Sequence, residues 1–270
     1  MQSPEEILKR YWGHSSFRPL QQEIIDSVLL RRDTLALLPT GGGKSICYQL
    51  PALMLKGITI VVTPLIALMQ EQVEKLLGKD IPAAYIYAGM HRSEVYRILS
   101  NAAEGAYKLL YISPERIQTS LFEEFLPVLN IQLIAVDEAH CISQWGHDFR
   151  PDYLKVNTLR QVFRNTPILA VTASATPMVE SDIITQLQLK DTKVFRQSFE
   201  RSNIQYSLAY SEQKNSEIVA LLQEHTGSGI VYCRSRKQTG ILAKQLQAHG
   251  IKALPYHAGM QNEIATNYHL

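Results

Sequence analysis

The sequence contains little cysteine, little tryptophan and little uncompensated charge. Its 270 residues include three cysteines and two tryptophans, and 27 basic residues nearly balance 25 acidic ones, for a formal net charge of +2. Cys47, Cys141 and Cys233 lie far apart and form no C-x-x-C pair. We therefore expect neither a disulfide framework nor a zinc site, and a reducing compartment is favoured. The small net charge neither indicates nor excludes a nucleic-acid partner, because any basic surface would be local.

Long hydrophobic runs are also missing. No apolar stretch reaches the roughly 18 residues of a membrane span, and the N-terminus has no charged-then-apolar signal pattern. Internal repeats and low-complexity tracts are absent as well. We expect a soluble cytosolic or nuclear chain without a membrane partner, and 46% hydrophobic residues suit one large or two small α/β domains.

The most informative segment is a glycine-rich turn, PTGGGKS at 39–45, between an apolar run at 34–38 and a helical pattern. Such a turn points backbone N–H groups at phosphates, while Lys44 adds charge at the β- and γ-phosphates and Ser45 offers a hydroxyl to Mg²⁺. Leu38 stands where the strict phosphate-loop pattern has its first glycine, but the strand–turn–helix context is present. The residues expected to bind nucleotide here are Thr40, Gly41, Gly42, Gly43, Lys44 and Ser45.

A second apolar run ends in two carboxylates, AVDEAH at 135–140. Asp137 suits a Mg²⁺ ligand, and Glu138 suits a group that orients or deprotonates the attacking water. Lys44, Asp137 and Glu138 are the catalytic candidates of an ATP hydrolase. We expect His140 to form a hydrogen bond with Gln144, Thr172 or Ser174 rather than bind a metal, because no second ligand lies at ligand spacing.

Strand-like and helical patterns alternate along the first two-thirds of the chain, which predicts a parallel sheet covered by helices on both faces. A capping box at 3–6 predicts an initial helix to about residue 12. The candidate groups follow strand ends, where open α/β sheets bind ligands. The predicted strands are 34–38, 58–63, 83–87, 108–112, 133–136, 168–172 and 193–195, with helices such as 65–77 and 93–103 between them.

A polar linker at 198–203 separates two predicted domains, 1–197 and 204–270. The second begins another α/β series, with strands expected at 204–209, 230–233 and 253–256. About 70 residues make a thin core. We therefore expect the chain to end inside a second domain.

Two further segments suit ligand contacts. FRPLQQE at 17–23 places Arg18 and Gln21 three residues apart, on one face of a predicted helix. An arginine plane and a glutamine amide suit adenine, although an ordinary exposed helix start would look the same.

The second segment, CISQWGHDFRP at 141–151, directly follows the carboxylate pair. Aromatic side chains in a loop suit base stacking, which could report DNA contact to Glu138; packing onto the domain's own core is the alternative for Trp145 and Phe149. The candidate coupling residues are Gln144, Trp145, His147, Phe149 and Arg150.

Weaker signals lie at the remaining strand ends. The turns at 63–73, 111–117 and 171–177 suit phosphate contacts or plain strand-to-helix connections. In the second series, Arg234, Ser235 and His257 suit a phosphodiester backbone.

Taken in order, FRPLQQE, PTGGGKS, TPLIALMQEQV, YISPERI, DEAH, SQWGHDFRP, TASATP, GIVYCRSR and YHAGM resemble the RecQ family of DNA helicases, in helicase superfamily two. The segment after DEAH is the most specific, since DEAD- and DEAH-type RNA helicases lack it. The resemblance implies two RecA-like lobes, ATP and Mg²⁺ in the cleft, 3′-to-5′ movement on single-stranded or partly duplex DNA, and a role in recombination and repair. It also implies a nucleoid or nuclear location.

The resemblance assigns Arg18 and Gln21 to adenine, with His14 where the family usually has a stacking tyrosine. Ser174 and Ser202 stand where threonine and proline are usual, and after residue 260 the pattern is lost. The late motifs of the second lobe and the family's zinc-binding and winged-helix domains are not in this sequence. Because an arginine finger contributes roughly 10³–10⁵ in kcat, we expect this chain alone to bind ATP and DNA, hydrolyse slowly and not unwind.

Two other interpretations remain open. The chain could be a natural short product that acts as an ATP-gated DNA-binding module. It could also be an unrelated phosphate-loop enzyme such as a kinase, which would leave the aromatic segment unexplained.

Overall fold

The computed structural model describes residues 2–198, 203–225, 227–257 and 260. The chain divides into two compact units, Met1–Glu200 and Arg201–Leu270. The predicted linker at 198–203, which includes Ser202, lies mostly outside the described residues, so the predicted domain boundaries stay predictions.

Seven parallel strands form one sheet in the first unit, in the order β3-β4-β2-β5-β6-β1-β7. The predicted parallel sheet is confirmed, and each strand predicted in the first unit matches an observed one to within about two residues. Short, mostly apolar runs form the first six strands because both sheet faces are buried there, which favours continuous rather than alternating apolar residues. The seventh strand, at the sheet edge, has only exposed and half-buried residues. The strands are β1 Thr34–Leu37, β2 Ile58–Val62, β3 Ala83–Ile86, β4 Leu109–Ile112, β5 Ile131–Val136, β6 Ile168–Thr172 and β7 Lys193–Arg196.

Helices cover both faces of the sheet, as predicted. Successive residues of a strand enter different apolar clusters, with Leu35 in one and Ala36 in the other. The Ser3–Glu6 capping box at the start of the first helix is also confirmed. The helices are α1 Pro4–Trp12, α2 Gln21–Leu29, α3 Ile46–Met54, α4 Ile66–Leu77, α5 Arg92–Ala103, α6 Ser120–Phe125, α7 Val156–Val162, α8 Pro177–Gln186, α9 Lys214–Glu224 and α10 Arg236–Ala248.

The strand order determines where the candidate groups meet. Strands β2, β5, β6 and β1 are consecutive in the sheet, and parallel strands all end at the same edge. The glycine-rich turn after β1 therefore lies beside Thr172 at the end of β6 and the carboxylate pair after β5. This edge is where open α/β sheets bind ligands.

The second unit holds α9 and α10, which pack through an apolar cluster that includes Val219, Leu242 and Leu246. Within its described residues no strand is assigned at 204–209, 230–233 or 253–256, so the three strands predicted there were wrong. A strand requires hydrogen bonds to a neighbouring strand, and apolar residues at alternate positions do not supply that neighbour.

Among the described residues, no helix has both the length and the apolar character needed to cross a bilayer.

Candidate functional site

The glycine-rich turn adopts backbone conformations that favour glycine. Gly41 and Gly43 have φ angles of 79° and 80°, in the left-handed region that residues with a Cβ rarely adopt. A Cβ on Gly42 would lie 2.9 Å from the Pro39 carbonyl oxygen. The three glycines therefore let the chain turn back tightly between β1 and α3.

Arg18 and Gln21 contact this turn directly. The Gln21 side-chain amide donates to the Gly43 carbonyl oxygen at 3.1 Å, and the Arg18 guanidinium donates to the Gly41 carbonyl oxygen. The prediction that both lie on one helix was wrong: α2 begins at Gln21, while Arg18 precedes it and donates its backbone N–H to the Gln21 side chain at 2.9 Å. Their roles at adenine, and that of the exposed His14, stay predictions.

Lys44 and Ser45 are half-buried and immediately precede α3, which begins at Ile46. Lys44 lies near both carboxylates of the pair, since its positive charge is one of the influences that lower the pKa of Asp137 and of Glu138. The turn after β1 and the end of β5 therefore form one charged cluster.

Asp137 is an acidic side chain in a mostly apolar setting. It is 7% exposed, and burial, followed by repulsion from Glu138, raises its pKa from 3.8 to about 6. Its backbone is well fixed: the N–H donates to Val62 O at 2.9 Å, and the Tyr153 hydroxyl donates to its carbonyl oxygen at 2.9 Å. Mg²⁺ prefers oxygen ligands, and its positive charge would offset the negative charge of this buried carboxylate. Asp137 and the Ser45 hydroxyl therefore fit this ion.

Sequence reasoning missed Tyr48, which lies one turn after Ser45 on α3. Its hydroxyl is fully buried and has no hydrogen-bond partner within the limits of ordinary geometry among the described residues. Interaction with this hydroxyl nevertheless contributes to lowering the pKa of Asp137. Because a buried donor usually has an acceptor, Asp137 is the candidate acceptor for the Tyr48 hydroxyl. The three-residue spacing from Ser45 was the available signal.

Glu138 has φ 47° and ψ 47°, a left-handed conformation that is strained for a residue other than glycine. A hydrogen bond from His140 is the largest cause that lowers the pKa of its carboxyl group, and the His140 Nδ1–Glu138 Oε2 distance is 3.4 Å. The carboxylate is therefore ionised at neutral pH, while its neighbour Asp137 is harder to ionise. Two adjacent carboxylates with pKa values shifted in opposite directions are typical of catalytic sites.

His140 connects the carboxylate pair to β6. Its Nδ1 lies 2.8 Å from Thr172 Oγ1, which confirms one of the three predicted partners. A carboxylate can only accept, and Thr172 Oγ1 also accepts from Ser174 N at 3.3 Å. We therefore assign the proton to Nδ1, which leaves the lone pair on Nε2.

The segment at 141–151 carries exposed aromatic groups next to this histidine. Trp145 is 69% exposed, so the alternative of core packing does not apply to it. Gln144 and His147 are also exposed, while Phe149 is half-buried. The His147 ring stacks on His140, with 4.5 Å between ring centroids and 17° between ring planes.

Arg150 closes this loop onto the sheet. Its guanidinium donates to Pro64 O at 3.2 Å and to Asp148 Oδ2 at 3.2 and 3.0 Å, and its backbone N–H donates to Cys141 O at 2.8 Å. The loop therefore connects the carboxylate pair with the turn after β2.

In the second unit, Arg234, Ser235 and His257 line one cavity of about 590 Å³. Ser235 also caps α10 by accepting from Gln238 N at 3.3 Å. The three residues thus share a surface, and their contacts with DNA stay predictions.

Replacing Asp137 tests the cost of this buried charge. Because its folded pKa of about 6 exceeds the ordinary value, the ionised carboxylate destabilises the ligand-free fold above pH 6, and this penalty vanishes below the unfolded pKa. Asp137→Asn should therefore raise the free energy of unfolding at neutral pH by up to about 3 kcal/mol. Urea unfolding should show this gain shrinking toward about pH 4. A gain that is independent of pH would contradict the assignment.

The DEAD/DEAH box helicase family model matches residues 18–182, which is more than half of the chain. Among curated relatives, the ATP-dependent DNA helicase RecQ of Pasteurella multocida is 40% identical over 261 residues, 96% of this chain and 41% of the relative. The Bacillus subtilis protein of the same name is 41% identical over 263 residues, 96% and 44% of the two chains. The RecQ-like DNA helicase BLM of Xenopus laevis is 42% identical over 267 residues, which are 94% of this chain and 20% of the relative.

The chain therefore spans less than half the length of these relatives. Among solved structures, the DUF1998 helicase MrfA bound to DNA and AMPPNP matches with a TM-score of 0.73 at 17% identity, over 99% of this chain and 42% of that one. Helicase Lhr of Mycobacterium smegmatis bound to ssDNA and AMP-PNP matches with a TM-score of 0.65 at 18% identity, over 97% of this chain and 39% of that one. At these identities the structures support the RecA-like helicase fold alone. The matches in sequence go further: the chain belongs to the DEAD/DEAH box helicase family and, within it, to the RecQ helicases.

Proposed function

We propose that the chain binds ATP with Mg²⁺ at the edge formed by β1, β5 and β6, and that single-stranded DNA stimulates hydrolysis there. In the whole protein this activity would drive 3′-to-5′ movement on single-stranded or partly duplex DNA. The relatives' names and the DNA-bound fold neighbours support this proposal. A role in recombination and repair, with a nucleoid or nuclear location, goes with it.

Each residue of the site has a chemical task in this proposal. Backbone N–H groups of the turn at 39–45 and the Lys44 ammonium hold the phosphates, and Ser45 and Asp137 hold the metal ion. Mg²⁺, when bound, neutralises charge that develops on the phosphate oxygens. Glu138, ionised at neutral pH, accepts a hydrogen bond from the attacking water and then its proton. Arg18, Gln21 and His14 are the candidates for adenine.

The observation that carries the coupling is the stack of His147 on His140. The His140 ring contacts Glu138 and Thr172 through Nδ1, so a shift of the exposed loop reaches the catalytic carboxylate through one side chain. DNA that stacks on Trp145 would move or order this loop, since base stacking on aromatic groups is worth about 1–3 kcal/mol per base. Arg234, Ser235 and His257 are the candidates for contacts with the phosphodiester backbone.

The first experiment is ATP hydrolysis by the chain with and without an oligothymidine. Stimulation by the oligonucleotide supports a DNA-coupled ATPase. ATP-sensitive DNA binding without turnover would instead favour an ATP-gated binding module. Turnover that is indifferent to DNA would contradict the coupling and favour a phosphate-loop enzyme with a small acceptor.

Trp145→Ala should reduce stimulation by DNA about tenfold or more, which corresponds to losing stacking on one base. Hydrolysis without DNA should stay within twofold of the parent chain, because the side chain is exposed and lies outside the charged cluster. Oligothymidine titrations of ATPase activity would measure both quantities.

Trp145→Phe is the matched control, since it keeps an aromatic face and should retain most of the stimulation. Equal loss of basal and stimulated activity in both variants would assign Trp145 a packing role instead.

A further inference from the structure

We propose that His140, Cys141 and Asp148 form a binding site for a soft divalent cation such as zinc, separate from the magnesium of the nucleotide. The side chains meet where the carboxylate segment passes into the aromatic loop. Within the described residues, one ligand atom from each lies within 4.8 Å of the other two. The sequence did not predict this proximity, because no second ligand lies at ligand spacing from His140 along the chain.

The two distances from the Cys141 sulfur are close to those of a tetrahedral metal site. Cys141 Sγ lies 3.8 Å from His140 Nε2 and 3.7 Å from Asp148 Oδ2. A tetrahedral zinc ion, about 2.3 Å from sulfur and about 2.0–2.2 Å from nitrogen or oxygen, places such ligand atoms about 3.6 Å apart. The two edges to Cys141 are within about 0.2 Å of this spacing, and the ligand atoms of His140 and Asp148 lie within 4.8 Å of each other.

The histidine is already oriented for metal binding. Its Nδ1–H donates toward Thr172 Oγ1 and Glu138 Oε2, so the lone pair of Nε2 faces Cys141. Ligating histidines usually donate their second ring N–H to an acceptor in this way, which fixes the tautomer and the ring plane. Thr172 and Glu138 thus fix the ring orientation that a ligating histidine requires.

The donor set indicates the class of ion. A thiolate and an imidazole select zinc-like cations, whereas magnesium prefers the oxygen ligands found around Asp137. The Asp148 side chain is 46% exposed, so an ion can enter from solvent and keep water at its fourth position. Binding releases the Cys141 thiol proton to solvent, and the sulfur then binds the metal as thiolate.

Occupation of the site would alter the loop. Asp148 Oδ2 now accepts two hydrogen bonds from Arg150, and a cation would compete for this oxygen and free the Arg150 guanidinium. The same ion would hold His140 at Nε2 while His147 stacks on its ring. Resting on the proposed function, we infer that zinc lowers hydrolysis stimulated by DNA.

Cadmium binding to the full chain tests the site without any enzyme activity. Cadmium–thiolate bonds absorb in the ultraviolet, so one equivalent of CdCl₂ should produce a charge-transfer band. Cys141→Ser should lose the band, whereas Cys233→Ser, which removes a half-buried thiol of the second unit, should keep it. A band that persists in Cys141→Ser or disappears in Cys233→Ser would overturn the proposal.

A carboxylate variant covers the case in which Cys141→Ser does not fold. Asp148→Asn should weaken zinc about tenfold or more, as measured by competition with a chromophoric chelator, because a neutral amide is a poor ligand. Asp152→Asn is the matched control, because it changes an acidic side chain of similar exposure, 41%, and it should leave the zinc affinity unchanged. Equal affinities in the two variants would also overturn the site. Zinc that binds as expected but leaves DNA-stimulated turnover unchanged would contradict only the inhibition.

Discussion

Glu138→Gln should slow ATP hydrolysis by about 10²–10⁴-fold, the usual contribution of a positioned general base. The amide keeps the shape of the side chain but cannot take a proton from water. Nucleotide affinity should change only a few-fold, because the proposed phosphate contacts come from the glycine-rich turn and Lys44. Single-turnover hydrolysis and binding of a fluorescent ATP analogue would separate the two effects.

The matched control is Glu115→Gln, a neutral replacement at an exposed acid of the turn after β4, which should leave turnover unchanged. Parent-like hydrolysis by Glu138→Gln would remove Glu138 from the reaction. A loss of nucleotide affinity as large as the loss of turnover would show that its carboxylate acts in binding rather than in proton transfer.

Lys44→Ala should weaken ATP binding by roughly 100-fold and abolish turnover at ordinary ATP concentrations. Charge-assisted hydrogen bonds are worth about 1.5–3 kcal/mol each, and one ammonium can serve two phosphates. The same change withdraws the positive charge that lowers the pKa of Asp137 and of Glu138. Isothermal titration with ATP and MgCl₂ would measure the affinity.

Lys75→Ala removes an exposed lysine that pairs with Glu71 on α4, and it should bind ATP like the parent chain. Because Lys44 is half-buried at a turn, circular dichroism should show that the fold of Lys44→Ala is retained. Unchanged ATP affinity in Lys44→Ala would exclude the residue from the site.

Much of the first unit could be predicted because its signals are local. The run at 133–136 is apolar throughout, and continuous burial of a parallel strand requires such a run. The pair at 137 and 138 then falls at the strand end by chain continuity alone. Glycine-rich turns have a similarly local cause, since φ angles near 80° at Gly41 and Gly43 favour glycine.

Other features depended on contacts between distant residues and could not be predicted in this way. We predicted Arg18 on the same helix as Gln21 because the three-residue spacing fits a helix. The spacing does not reveal that Leu20, just before α2, has a left-handed backbone (φ 66°) that ends any helix continuing from Arg18. The ring of His147 returns to His140 only because the loop between them closes, which also brings Asp148 to Cys141. In the second unit, apolar side chains alternate like a strand at Ile204, Tyr206 and Leu208, yet alternation cannot provide a partner for pairing.

Strand β1 lies between β6 and β7, and Thr34 pairs with Leu169 on one side and Lys193 on the other. The strand that leads into the glycine-rich turn is thus made early in synthesis. It can pair with both neighbouring strands only after some 160 further residues have been added. Pairings so distant in sequence form late. A nascent chain on the ribosome should consequently gain ATP affinity abruptly, once β7 has left the exit tunnel, rather than in proportion to its length.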